Sequence, residues 1–301
     1  MGARTGRGWA FIELAALGEN SWSRYAMALT AIALVPSIVA TLLVFIAGGG
    51  PAGGVLQQYA PIALAGAVAI WAARRLHRRP WQSLISTGLV IDGRRLAIGA
   101  VVQLAIMGGQ LVLADALTGW QLDLSLRLSW AVAILALLLI PLQAASEEIL
   151  FRGYATQALG RVLGSRLLIA LLVGLLFGGL HFNTHGGLTV PYFLVLSLVF
   201  SLVSLRDEGL ELTIGGHAAM NLFAFGAAHT ALVAPGAIGE SPTMTPFTAS
   251  AIAAMAVDGV IFYGLTRGFV RLFCRPRLVA HGRVGHDRAT LDRSGAIDAD
   301  E

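Results

Sequence analysis

Apolar positions in this chain fall in long unbroken runs instead of the striped spacing of a soluble helix or strand. Runs near 26–47, 55–73, 96–114, 130–157, 167–183, 188–205, 212–228 and 249–266 approach or exceed the roughly 18 to 20 residues that cross a bilayer as a helix. Breakers fall between them. GGGPAGG (48–54) divides the first two, RRLHRRPWQSLISTGLVIDGRR (74–95) the second and third, and Gly164-Ser165 makes a turn between the fourth and fifth. The pattern predicts an all-α fold: a multi-pass integral membrane helical bundle of about eight transmembrane helices, with no internal repeat and no second soluble domain.

Composition strengthens that picture. Of 301 residues, 56% are hydrophobic and only 13% charged, and the mean hydropathy is +0.73. A soluble domain carries about a quarter charged residues. The formal charge of +4 comes from arginine alone, for the chain has no lysine. With the N-terminus inside, the inner segments hold Arg4, Arg7, Arg24, Arg74, Arg75, Arg78, Arg79, Arg94, Arg95, Arg161, Arg166, Arg206 and the arginines from Arg267 onward, whereas the outer loops hold Arg127. This asymmetry puts both termini in the cytoplasm and makes the basic excess an orientation signal, not a nucleic-acid surface. The Arg-only, Ala- and Gly-rich composition suggests a bacterial source, hence the plasma membrane.

The organisation expected is a cytoplasmic N-terminal segment (1–25), a transmembrane domain (26–273) and a disordered cytoplasmic tail (274–301). The first segment lacks a cleavable signal pattern, because Glu13 and Glu19 break its short apolar stretch. The tail is polar and low in aromatic residues. The single cysteine, Cys274, excludes an intramolecular disulfide and a Cys-based metal cluster, and reads as an unreactive residue near a helix end.

Ionisable groups inside membrane spans are costly, so each is a functional hypothesis. The stretch AASEEILFRGYA (144–155) follows the wholly apolar WAVAILALLLIPL (130–142). Glu148 and Arg152 are four apart and can pair on one face, while Glu147 is turned about 100° away. A membrane-edge salt bridge is the simpler reading; the sharper one gives Glu148 and Arg152 to structure and Glu147 to chemistry. In FGGLHFNTHGG (177–187), Phe177 and His181 share a face. His181 and His185 have the spacing of a metal pair, but Gly186-Gly187 places His185 at the outer interface. About 16 residues separate Glu147 from the Gly164 turn and about 17 separate it from His181, so unbroken helices would put both roughly 25 Å from the hairpin tip, facing each other. In TIGGHAAMNLF (213–223), His217 and Asn221 share a face among small residues, which suits either interhelical hydrogen bonding or a site. Asp258, in the last span, reads as pairing with an inward-facing donor and has no catalytic role.

Together these groups supply a carboxylate, two imidazoles and a carboxamide. A carboxylate with a neutral imidazole can orient and deprotonate water, and a His–Asn pair can donate to a developing oxyanion. That chemistry is amide hydrolysis without a covalent intermediate.

The segments EEILFR (147–152), FGGLH (177–181) and HAAMN (217–221) resemble, in order and without a gap, the EExxxR, FxxxH and HxxxN motifs of the CPBP family. These are the intramembrane glutamic endopeptidases that include the type II CAAX prenyl proteases and Abi proteins. The resemblance covers about residues 74–225. It implies that Glu147 and His181 activate the water, that His217 and Asn221 form the oxyanion hole, and that Glu148, Arg152 and Phe177 support them. It implies no required cofactor. A zinc site using Glu147, Glu148, His181 and His217 is the disfavoured alternative, since Asn221 is a poor zinc ligand. The substrate implied is a peptide or membrane-anchored protein in the lipid bilayer. Two other classes stay open: a non-proteolytic immunity or scaffold protein of the same family, and a proton-coupled transporter, whose inverted repeats the sequence does not show.

Overall fold

The structure, a computed structural model, describes residues 8–48, 50–118, 129–182, 187–229 and 247–277. His185 and most of the expected tail lie outside them. All eight apolar runs are helical: α2 (Trp22–Ala47), α3 (Pro51–Arg75), α4 (Gly93–Thr118), α5 (Trp130–Glu148) continuing through a π-helical segment (Ile149–Ala155) into α6 (Thr156–Gly160), α7 (Arg166–Leu180), α8 (Thr189–Asp207), α9 (Glu211–His229) and α10 (Ala249–Phe273). A short α1 (Trp9–Ile12) precedes them. The described residues contain no strand beyond an isolated bridge between Ser86 and Gly209.

The chain is an all-α membrane protein. Among the described residues, six helices are long and apolar enough to cross a bilayer: α2, α3, α4 over Gly93–Leu113, the continuous Trp130–Gly160, α8 and α10. The other two expected spans differ. α7 is shorter, and α9, which carries Glu211, His217 and Asn221, is not among the six. Trp22, Leu29, Leu34, Ile38, Leu42 and Phe45 of α2 are exposed. Such a face would be a liability in water and is the expected lipid surface here.

Lipid supplies no hydrophobic drive between helices, so small residues set how closely they approach. A Cβ on Gly99 would lie 2.0 Å from the Leu212 carbonyl oxygen, and one on Gly215 2.0 Å from that of Leu96, so α4 and α9 meet backbone to backbone. Across α3 and α5, Ser146 Oγ donates to the Ala63 carbonyl at 3.0 Å. These two seams hold α5 and α9 in place on the polar groups between them.

One end of the bundle closes over itself. Within the expected N-terminal segment, Phe11 and Leu14 are fully buried, and the Phe11 carbonyl accepts from Gln157 Nε2 at 3.2 Å. Gln157 also donates to the Ser83 carbonyl (2.7 Å) and accepts from Arg79 Nη1 (2.6 Å). His77 bridges the Glu19 carbonyl and the Tyr154 hydroxyl, each at 2.8 Å. The expected tail begins at residue 274, and its Arg275 carbonyl and Arg277 side chain bond back to the bundle. Arg277 Nη2 meets Asp207 Oδ2 at 2.8 Å and Glu211 Oε2 at 2.5 Å, while Arg95 pairs with both Asp207 and Asp92. Asp258 accepts both of its hydrogen bonds from Gln110 Nε2, at 2.8 and 2.7 Å.

Burial works against the Arg277 charge, but hydrogen bonds and charge from Glu211 and Asp207 outweigh it and raise its pKa. Replacing Arg277 with Ala strands the fully buried Glu211, and a loss of about 3–5 kcal/mol, the cost of breaking a buried pair, is expected in thermal unfolding in detergent. The His77 imidazole titrates below its ordinary value, chiefly through burial and also through the charges of Arg79 and Arg24, against the backbone bond to Glu19. The unfolded chain therefore takes up a proton that the folded chain resists. Stability is full above about pH 6.5, the ordinary histidine value, and falls as the pH drops below it. His77→Gln is expected to flatten the melting temperature between pH 7.5 and 5.5 relative to wild type.

Candidate active site

The apolar α5 ends in a polar cluster, and the helix then widens. Gln143, Ser146, Glu147 and Glu148 are buried on the last turns of α5, and the π-helical segment starts at Ile149. Thr156 Oγ1 donates to the Phe151 carbonyl at 2.9 Å, satisfying an acceptor within the widened stretch. π-segments of this kind recur at functional sites because they re-aim side chains.

Glu148 is completely buried, and Arg152 is 1% exposed. Glu148 Oε1 accepts from Arg152 Nη1 at 3.1 Å and lies 2.9 Å from His217 Nδ1. The Arg152 guanidinium also sits over the rings of Phe177 (4.6 Å) and Phe200 (5.7 Å). Those π faces compensate the cation where Nε and Nη2 have no hydrogen-bond partner among the described residues. Because Glu148 can only accept in its paired, ionised form, His217 Nδ1 must carry the proton in their bond.

Glu147 is held differently. Its Oε1 accepts from Gln143 Nε2 at 2.6 Å, and its Oε2 lies 3.4 Å from His217 Nε2. Gln143 Oε1 in turn accepts from Asn221 Nδ2 at 2.9 Å. One glutamine side chain thus links the carboxylate on α5 to the carboxamide on α9. His217 stands between the two glutamates, one ring nitrogen toward each.

His181 lies at the C-terminal end of α7, with Nδ1 2.7 Å from the Phe177 carbonyl oxygen. Its ring stacks on Phe193 (4.1 Å between centroids) and packs against Phe177 (4.7 Å), whose ring is 6.5 Å from that of His217. Glu147 directly contacts Gln143 and His217. The facing geometry expected of Glu147 and His181 assumes two unbroken helices; a π-segment begins directly after Glu148, and α7 ends at Leu180 with His181 as its C-cap.

Gln143 is the member of this polar cluster that the sequence reading missed. Its signal is nonetheless there: it is the first polar side chain after the apolar run and lies four positions before Glu147, on the same face. No set of three His, Cys, Asp or Glu among the described residues is placed to hold a metal ion.

A buried acid–imidazole–amide cluster inside a membrane bundle defines a class of polar intramembrane site, and the comparisons specify it further. Residues 128–223 match the family model described as Rce1-like, type II CAAX prenyl endopeptidase. This segment contains all three motifs and every polar group of the cluster, so the resemblance read from EEILFR, FGGLH and HAAMN holds over the part of the chain that builds the site. The uncharacterized protein YyaK of Bacillus subtilis (strain 168) is 30% identical over 165 residues, covering 51% of this chain and 54% of that protein. The chain thus spans about half the length of the curated relative it matches.

Gln143→Ala should leave Glu147 and Asn221 without their shared partner and cost about 1–3 kcal/mol, the range for an unsatisfied buried polar group. Gln143→Glu should cost more, since it sets a second carboxylate against Glu147 without a cation. Thermal denaturation of both variants checks the order; equal stability of all three proteins contradicts it.

Proposed function

We propose that the chain is an intramembrane endopeptidase that hydrolyses a peptide bond in a peptide or membrane-anchored protein, with Glu147 as the water-activating base. The observation that carries this reading is the unequal treatment of two adjacent glutamates. Glu148 is neutralised by Arg152, whereas Glu147 meets only an amide and an imidazole among the described residues. A buried carboxylate that no guanidinium claims is available to take a proton from water. The Rce1-like match over the same segment supports peptide-bond chemistry.

In this reading water is deprotonated by Glu147 as it attacks the scissile carbonyl carbon, and His181 helps to orient it. The carbonyl oxygen becomes an oxyanion. His217 Nδ1 is committed to Glu148, so Nε2 can donate only from the imidazolium, which Glu148 stabilises from the far side. Asn221 has one Nδ2–H on Gln143 and its second to give. Collapse of the tetrahedral intermediate breaks the C–N bond, and the proton held by Glu147 passes to the leaving amine. No covalent intermediate and no metal are required. The facing of both His217 ring nitrogens toward carboxylates supports the metal-free form. The arginine distribution supports cytoplasmic termini and a bacterial plasma membrane.

The test compares peptide termini in membranes of cells expressing wild type or Glu147→Ala, mapped by mass spectrometry. Termini that vanish in the variant and persist with a chelator are expected. Identical profiles overturn the reading, and loss on chelation with recovery on zinc favours a metallopeptidase. With a substrate so identified, Asn221→Ala should slow cleavage by about a hundredfold to a thousandfold, the effect of removing one oxyanion donor.

A further inference from the structure

A cavity lined by none of the polar cluster's side chains has the polarity of a lipid binding site. A cavity of about 590 Å³ runs between α2, the π-segment with α6, and α7. Its volume is within the range of small-molecule sites. Its walls are apolar along most of their length, through Leu29, Leu159, Leu176 and Leu180. One end is different: there Trp22, Tyr25 and Arg161 line it. Arg161 lies just before the start of α7 and Leu180 at its end, so the 15-residue α7 separates the two ends by roughly 20 Å at 1.5 Å per residue.

Chemistry at the polar end is one-sided. The Tyr25 hydroxyl is spent, donating to Asn20 Oδ1 at 2.6 Å, and Asn20 Nδ2 is spent on the Ala15 and Gly18 carbonyls. Glu19, the nearby acid, is engaged by Arg24 and Arg78. What remains is donors. Arg161 has no ion pair or side-chain hydrogen bond among the described residues, and Trp22, 75% exposed, has an indole N–H without a partner there. A cation and an indole donor above a long apolar trough match an anionic oxygen on a hydrocarbon chain. Tryptophan at the membrane–water interface fits the same placement.

We propose that this groove holds one acyl chain of an anionic membrane phospholipid, with its phosphate on Arg161 beside the Trp22 N–H. The inference rests on the membrane fold and not on the hydrolytic reading, so either can fail alone. The groove's inner wall includes Phe151, packed edge-on at 5.0 Å against Phe177, the ring that carries Arg152. A bound chain therefore backs the wall of the polar cluster.

The test is native mass spectrometry of the full chain released from nanodiscs of phosphatidylcholine and phosphatidylglycerol in a 7:3 ratio. Wild type is expected to retain one phosphatidylglycerol in preference to phosphatidylcholine. Arg161→Gln should bind it about fivefold more weakly, the worth of one basic residue against an anionic headgroup. Leu29→Trp, at a 59% exposed position on the rim, should displace it by filling the trough. Both positions are exposed, so melting temperatures in phosphatidylcholine alone should match wild type and show that folding is intact. Equal retention in wild type and Arg161→Gln overturns the headgroup assignment. Displacement by glycerol 3-phosphate as readily as by the intact lipid overturns the chain assignment.

Discussion

The Glu148 carboxylate, with no exposed surface, is the interaction around which the bundle is arranged. Burying one charge from water costs several kcal/mol, and only close partners with good geometry repay it. Here Arg152 supplies the charge from one turn along, and His217 supplies an N–H from α9. The guanidinium is further compensated by the faces of Phe177 and Phe200, from α7 and α8. Four helical elements are therefore fixed by one ion pair, and any displacement of α9 would strip a partner from a buried carboxylate.

That arrangement also explains why the neighbouring Glu147 differs in character. With Arg152 committed to Glu148, Glu147 is left to Gln143 and to the far nitrogen of His217. Gln143 then fixes Asn221, so the base and the proposed oxyanion donor are positioned by the same amide. Such a network requires α5 and α9 to be placed closely and reproducibly. The Gly99–Leu212 and Gly215–Leu96 contacts of α4 with α9, and the Ser146–Ala63 bond of α5 with α3, provide this.

Much of this was legible in the sequence, and what was not has physical reasons. Eight apolar runs gave eight helices because length and continuity of hydrophobicity are local properties. The Glu148–Arg152 pair was legible because i,i+4 spacing places both on one face. Small residues around His217 announced a close helix contact. The link between Glu147 and His217 was not legible, since it depends on how α5 packs on α9 and on a π-segment that local propensity does not specify. Gln143 was hidden at the edge of an apolar run. The burial of Phe11 and Leu14 went unseen because a short apolar stretch broken by Glu13 looks the same whether it packs on a bundle or lies in solvent. Arg277 read as tail for a similar reason: its partners Asp207 and Glu211 are about 70 positions away.

The central claim is that two adjacent glutamates divide structure from chemistry. It is tested most directly by comparing the thermal stabilities of Glu147→Gln and Glu148→Gln, purified in the same detergent. Glu148→Gln should lose about 3–5 kcal/mol, because it leaves the buried Arg152 cation without its counter-charge. Glu147→Gln removes no ion pair with an arginine and should melt within a few degrees of wild type. Equal destabilisation of the two variants, or a larger loss at Glu147, would contradict the account.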